Sequence, residues 1–296
     1  MISRLATLPV FLLLVAFTSV QAQKTLPPPA KIDWTDSSDV LDMDTPTWMK
    51  LSSVKPQMEL WGGPSTLRRD GTAPLEGSTS FGITLGSVRS RQRDEKTAYS
   101  SNDGVYLWYA MAKDQPQPPV TLTTDVWRFG FVSTKGFGYE LNENMAVNFY
   151  AGSSALSWSI VNPKSNVADS LQNLALREFE GSVRFGAAAQ AGIGLQLTKN
   201  IELRGSYDWT QIYPRHLFWF WAGSGAIEGV ADALAMAFVK AVGRSSPAAA
   251  PIMYFVLKNA VSMGFAGLRQ HQMNWPFETV APMNIQTWRI SGVFTF

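Results

Sequence analysis

Val183-Arg184-Phe185-Gly186-Ala187-Ala188-Ala189-Gln190-Ala191-Gly192-Ile193-Gly194-Leu195-Gln196-Leu197 alternates without a break: every odd position is apolar, and every even one is charged, polar or small. After Thr198-Lys199-Asn200 the same parity resumes, with Ile201, Leu203, Gly205, Tyr207 and Trp209 set against Glu202, Arg204, Ser206, Asp208 and Thr210. A period of two is the mark of β structure, and the short interruption reads as a hairpin turn. Strands of soluble sandwiches usually run about five or six residues. These are longer, and charges sit on the face opposite the apolar one.

The same pattern occurs 56 residues earlier, where Gly138-Tyr139-Glu140-Leu141-Asn142-Glu143-Asn144-Met145-Ala146-Val147 parallels Gly194 to Leu203. Asn closes the turn in both copies and tolerates the positive φ that tight turns use. The strand leading into the first copy carries Trp127, Phe129, Phe131, Phe137, Tyr139 and Leu141 on one face, with Arg128, Gly130, Thr134, Gly136, Gly138 and Glu140 on the other. Long strands, aromatic outside and polar inside, suit a barrel with a lipid-facing wall.

The chain begins with Arg4, an apolar run from Leu8 to Phe17, and Val20-Gln21-Ala22 before Gln23, which together read as a secretory signal peptide over residues 1–22. Residues 23–56 are rich in Pro, Asp, Ser and Thr and read as an extended periplasmic lead-in, leaving 57–296 for the barrel. With no cysteine the chain has neither disulfides nor thiolate chemistry, and its 16% charged and 12% aromatic residues are low and high for a soluble protein. A net charge of +2 gives no reason to expect a nucleic-acid partner.

Strand candidates fall at Gln57 to Gly62, Thr79 to Val88, Val105 to Met111, Val126 to Leu141, Met145 to Trp158, Val183 to Leu197, Ile201 to Thr210 and Thr287 to Phe296. Eight is the smallest usual number for an outer-membrane barrel. The expected fold is therefore all-β: an antiparallel transmembrane β-barrel of eight strands. An N-terminus in the periplasm puts the turns at Asn142 to Asn144 and Thr198 to Asn200 on the periplasmic side. The outer connections then fall at Gly63 to Ser78, Ala112 to Asp125, Ser159 to Ser182 and Gln211 to Gln286. The Arg89 to Gly104 connection is long for a periplasmic turn.

The last strand places Trp288, Ile290, Phe294 and Phe296 on one face. An amphipathic closing strand with a terminal aromatic resembles the small bacterial outer-membrane barrels of the OmpA/OmpX-like superfamily. Gly136-Phe137-Gly138-Tyr139 resembles, more loosely, Bacteroidetes-type barrels. The resemblance implies residence in the bacterial outer membrane, contact with outer-membrane lipid, and a closing strand read by the barrel-assembly machinery.

Glu59, Arg128, Glu140, Arg184, Glu202, Arg204, Asp208 and Arg289 all lie on the polar face. In a narrow barrel they must pair, because an isolated buried ion costs several kcal/mol even after relaxation. The four acids and four bases predict a lumen plugged by salt bridges, a proton or ion path being the alternative. His216 and His271 have no nucleophile motif near them, and two histidines make a poor metal site, so neither a catalytic centre nor a cofactor is expected. Arg68, Arg69 and Arg215 read as surface charge or phosphate contacts.

Residues 224–270 predict a helical hairpin inserted between the last two strands. Ser224 is placed to cap a first helix with an apolar stripe of Ile227, Val230, Ala231, Leu234, Phe238 and Ala241, and Pro251 to start a second. Glu228, Asp232, Lys240 and Lys258 argue against simple transmembrane helices. The functional expectation is a non-enzymatic scaffold whose extracellular insertion meets a protein partner or lipid. Transport or sensing of a small apolar ligand is the second reading, and a lipid-modifying enzyme using His216 or His271 the third.

Overall fold

The structure, a computed structural model, describes residues 54–72, 75, 77–92, 97–112, 123–164 and 176–296. The expected signal peptide and nearly all of the lead-in lie outside the described residues. Eight strands close into one antiparallel barrel in sequence order. They are β1 (Lys55–Arg68), β2 (Ser78–Gln92), β3 (Thr97–Ala112), β4 (Thr123–Glu140), β5 (Ala146–Lys164), β6 (Val183–Gln196), β7 (Ile201–Ile212) and β8 (Met283–Thr295). Closure joins β1 to β8, from Gln57 opposite Thr295 to Arg68 opposite Asn284.

The strands are longer than the alternation alone marks. β1 continues past Gly63 and Pro64, where pairing with β8 lapses while pairing with β2 holds. The long connection expected at Arg89 to Gly104 is in fact strand: β2 and β3 pair down to Gln92 opposite Ala98. Sequence alternation fails there because Ser87, Arg89, Ser101 and Asp103 lie on the outward side, making both faces polar. Four residues of sequence separate β2 from β3, comparable with the lengths of the turns after β4 and β6. Asn142 Oδ1 accepts from the backbone N–H groups of Asn144 and Met145, and Thr198 Oγ1 from those of Asn200 and Ile201.

Outward-facing Leu60, Phe81, Leu85, Val105, Leu107, Trp127, Phe129, Phe131, Ile193, Leu203, Trp288 and Ile290 are all exposed. The buried side chains of the lumen include three arginines and a glutamate. This reverses the arrangement of a water-soluble protein.

Between β7 and β8 lie helix α1 (Phe218–Ser245), a 3-10 turn (Pro247–Ala249) and helix α2 (Ala250–Leu268). The N-cap lies about two turns before the expected one, so Ser224 is an interior, buried residue and Leu217 stands at the N-cap without a side-chain bond. Pro251 does sit in the first turn of α2.

Candidate functional sites inside and along the barrel

The middle of the lumen is built from inward positions of β1, β4, β7 and β8. Arg289 lies between two acids, with Nη2 3.2 Å from Glu59 Oε1 and Nη1 3.8 Å from Asp208 Oδ2. Arg204 lies between two more oxygens, 2.9 Å from Glu202 Oε2 and 3.8 Å from Glu59 Oε2. Glu59 thus joins both cations. Arg128 reaches the acids through a hydroxyl: it donates to Thr210 Oγ1, which in turn donates to Asp208 Oδ1 at 2.7 Å. Aromatic rings cover the guanidinium faces, Trp61 at 3.9 Å from Arg289 and Tyr150 at 5.2 Å from Arg204. Inward glycines make the room, since a Cβ at Gly192 would strike the Tyr150 ring and one at Gly194 the Glu202 carboxylate.

Two of the eight expected lumen residues fall outside this cluster. Glu140 ends β4 and is exposed, with no ion pair among the described residues, because the strand has already left the barrel interior at that point. Arg184 has inward parity but sits at the opposite mouth, where it donates to the carbonyls of Pro214 and Glu178 and ties loop to strand.

The lumen is not polar throughout. Toward that mouth the inward residues Leu67, Ala110, Val126, Val161, Ile212 and Ile285 pack with Leu75, Leu176 and Phe179 from the connecting loops into one buried apolar cluster. Arg69 seals its edge, 2.7 Å from Glu178 and stacked over Phe179 at 4.8 Å. Below this cluster a cavity of about 50 Å³ remains, room for a few waters.

The hairpin neither caps the lumen nor stands away from the barrel. Helix α2 crosses the outside of the wall diagonally over β4, β5 and β6 to β7. At one end the Tyr139 hydroxyl donates to the Ala248 carbonyl, next to the β4–β5 turn. At the other, Gln211 Nε2 donates 2.9 Å to the Ala266 carbonyl near the end of β7. Tyr254 packs edge-on against Phe137, and Phe255 against Phe149. Where the helix crosses, the outward side chains become small: Ala151 and Ser153 on β5, Ala187, Ala189 and Ala191 on β6. Small residues let a helix approach closely. That dip in size, within an otherwise bulky outward face, is the sequence signal for the docking site.

Three of the hairpin charges taken as evidence against a membrane position, Glu228, Asp232 and Lys258, are paired; Lys240 is in no ion pair among the described residues. Lys258 meets Asp232 at 2.6 Å, and Arg269, just past α2, meets Glu228 at 2.6 Å. Arg269 also donates to Ser224 Oγ at 2.9 Å and to its carbonyl at 3.1 Å, while the Ser224 hydroxyl donates to the Trp275 carbonyl. Ser224 is thus a clasp between the two ends of the insertion.

His216 is exposed beside Phe185 and lines a cleft with Tyr213, Arg215 and Asn274. Burial pushes the Tyr213 phenol up to about 12. His271 pairs instead with Asp70, joining the β1–β2 loop to the segment before β8. Among the described residues no three His, Asp or Glu side chains gather to hold a metal ion.

Fold and site together define a closed eight-stranded barrel with its charges inside, its apolar wall outside and a helical hairpin on that wall. No protein-family model and no curated protein matches the chain. Among solved structures it is similar to Ail, the attachment invasion locus protein of Yersinia pestis, at 8% identity and a TM-score of 0.33, covering 83% of this chain and 100% of that one. Ail in complex with the heparin analogue sucrose octasulfate gives 9% identity and 0.34 over 83% and 100% of the two chains. Neisserial surface protein A gives 9% identity and 0.35 over 83% of this chain and 99% of that one.

Proposed function

We propose that the chain is a non-conducting, non-enzymatic scaffold of the bacterial outer membrane. Its working element, on this reading, is a helical hairpin that spans the bilayer alongside the barrel. The observation that carries this is the orientation of the hairpin. Ile227, Val230, Leu234 and Phe238 of α1 and Ile252 and Val256 of α2 point away from the barrel and are exposed, while Asp232 pairs with Lys258 and Glu228 with Arg269. The apolar stripe, expected to meet a protein partner or lipid, faces outward. An apolar surface of this extent is unfavourable in water and neutral in hydrocarbon. Pro247–Leu268 is long and apolar enough to cross a membrane, and α1, at 28 residues, is about 42 Å long. The paired lumen charges and the apolar seal support a barrel that passes no ions.

Because the chain has no cysteine, single substitutions map its topology directly. Asp70→Cys should react with a membrane-impermeant maleimide on intact cells. Ser246→Cys, at the hairpin tip, should react only after the outer membrane is permeabilised. Leu234→Cys and Ile252→Cys should resist the water-soluble reagent in both cases. Equal labelling of positions 70 and 246 on intact cells would mean that the hairpin is extracellular and the reading wrong.

A further inference from the structure

Between the hairpin and the barrel wall lies a cavity of about 280 Å³, just below the roughly 300–1,000 Å³ of small-molecule pockets. Its wall side is formed by Ala155, Ala187 and Ala189, with Trp209 and Tyr213, and its helix side by Gly225, Gly229, Glu228, Asp232, Lys258 and Ser262.

The two glycines are the informative residues. Glycine in a helix interior is destabilising relative to alanine, and in membrane helices it is normally kept where backbones touch. Here nothing lies within 4 Å of a Cβ built at Gly225 or Gly229. Both therefore leave space open rather than closing a contact.

The polar atoms around that space are incompletely used. Ser262 is 7% exposed and lines the cavity. Glu228 engages Arg269 through Oε2, and Asp232 engages Lys258 through Oδ2, so each carboxylate has a second oxygen outside its ion pair. The Asp232 Oδ1 atom has no hydrogen-bond partner. The charges themselves cancel in pairs, so a charged guest would leave a net charge in a low-dielectric site. A neutral guest adds none.

We propose that this cavity binds a single-chain amphiphile with a neutral, hydroxylated head, the hydroxyls meeting Ser262 and Glu228 and the chain lying against the alanine wall and Trp209. This rests on the hairpin lying in the membrane as argued above. Hydroxyls both donate and accept, which matches a site offering spare carboxylate oxygens and the Ser262 hydroxyl.

The test is native mass spectrometry of the full chain in a neutral detergent, offered 1-dodecanoylglycerol, dodecyl sulfate or dodecylammonium in separate arms. One retained copy of the glyceride is expected, with neither charged amphiphile held to the same extent. Gly229→Leu, which fills open space without a backbone clash, should abolish retention. Ser262→Ala removes one net hydrogen bond and should weaken it about fivefold. Heat-modifiable gel mobility checks that both variants fold. No retention by the parent chain, equal retention of all three amphiphiles, or an unchanged Gly229→Leu variant would each overturn the proposal. If Ser246→Cys still reports from the periplasm in that case, only the ligand assignment fails.

Discussion

Removing Arg204 tests whether the lumen charges act as one network. In the parent chain Arg204 stands 2.9 Å from Glu202 and 3.8 Å from Glu59, with 7% of its side chain exposed. Breaking a buried pair by deleting one partner costs about 3–5 kcal/mol when the other charge is left alone. Neither acid is left wholly alone here. Glu59 keeps Arg289 at 3.2 Å, and Glu202 keeps the Asn148 amide at 3.2 Å. Arg204→Ala should therefore fall at the low end, about 3 kcal/mol. Arg128→Ala provides the contrast, since its hydroxyl partners retain other bonds, Ser157 to the Gly186 carbonyl and Thr210 to Asp208. Losing those charge-assisted bonds should cost about 1.5–2 kcal/mol. The measurement is reversible urea unfolding in lipid vesicles, followed by the mobility of unheated samples. Glu202→Gln combined with Arg204→Met should cost clearly less than the two single changes added together, because each removes the other's unpaired charge. If Arg204→Ala and Arg128→Ala are equally mild, both within about 0.5 kcal/mol of the parent, the charges are solvated rather than coupled and the network reasoning is wrong.

Replacing residues 218–270 with a Gly/Ser linker should leave a heat-modifiable barrel, because the strands close without the helices; circular dichroism should lose its helical signal and keep that of sheet. Asp232→Leu alone should destabilise the hairpin by leaving Lys258 unpaired in a low-dielectric setting, and adding Lys258→Met should recover most of the loss, as read by protease protection of the helices. Deleting Phe296, whose N–H bonds to the Pro56 carbonyl at 3.0 Å and whose ring is outward and exposed, should slow insertion in cells, measured as the pulse-labelled fraction reaching the heat-modifiable form. Gly192→Val should overpack the lumen against Tyr150 and cost about 1–3 kcal/mol in the same urea assay.

The barrel was legible wherever one face of a strand is apolar and the other is not. β6 alternates over its whole length and β7 as far as Thr210. Legibility fails where the two faces resemble each other, and it does so in both directions. Around Ser87, Arg89, Ser101 and Asp103 both faces are polar, so strand reads as loop. Near the other mouth the inward Val126, Val161, Ile212 and Ile285 are apolar, because there the lumen is sealed by packing, and a period of two cannot report that. Of the charged residues, spacing supplied which face each occupies but not its height along the barrel axis. Height is what separates Glu59, Glu202, Arg204, Asp208 and Arg289 from Glu140 and Arg184.

The hairpin shows the same difficulty in helical form. Its stripe marks a helix, but periodicity reports only that two faces differ. Which face turns inward depends on the solvent. In water, Ile227, Val230, Leu234 and Phe238 would pack on the barrel, and Glu228 and Asp232 would be solvated. Here the acids turn inward, each within 2.6 Å of a cation, and the apolar side chains are exposed. The barrel is inverted in the same sense, with Arg204, Arg289 and Glu59 inside and Phe81, Leu107, Phe129 and Ile290 outside. Two elements with different periods, built from separate parts of the chain, share one inversion. The proposal that hydrocarbon surrounds both is built on this shared inversion: in that medium apolar surface has no reason to hide and charge must find its partner within the protein. The small residues at Ala151, Ala187, Ala189 and Ala191 follow from the same cause. With no hydrophobic gain on joining a helix to a wall in lipid, association relies on close contact, and these are the positions where the wall is lowest.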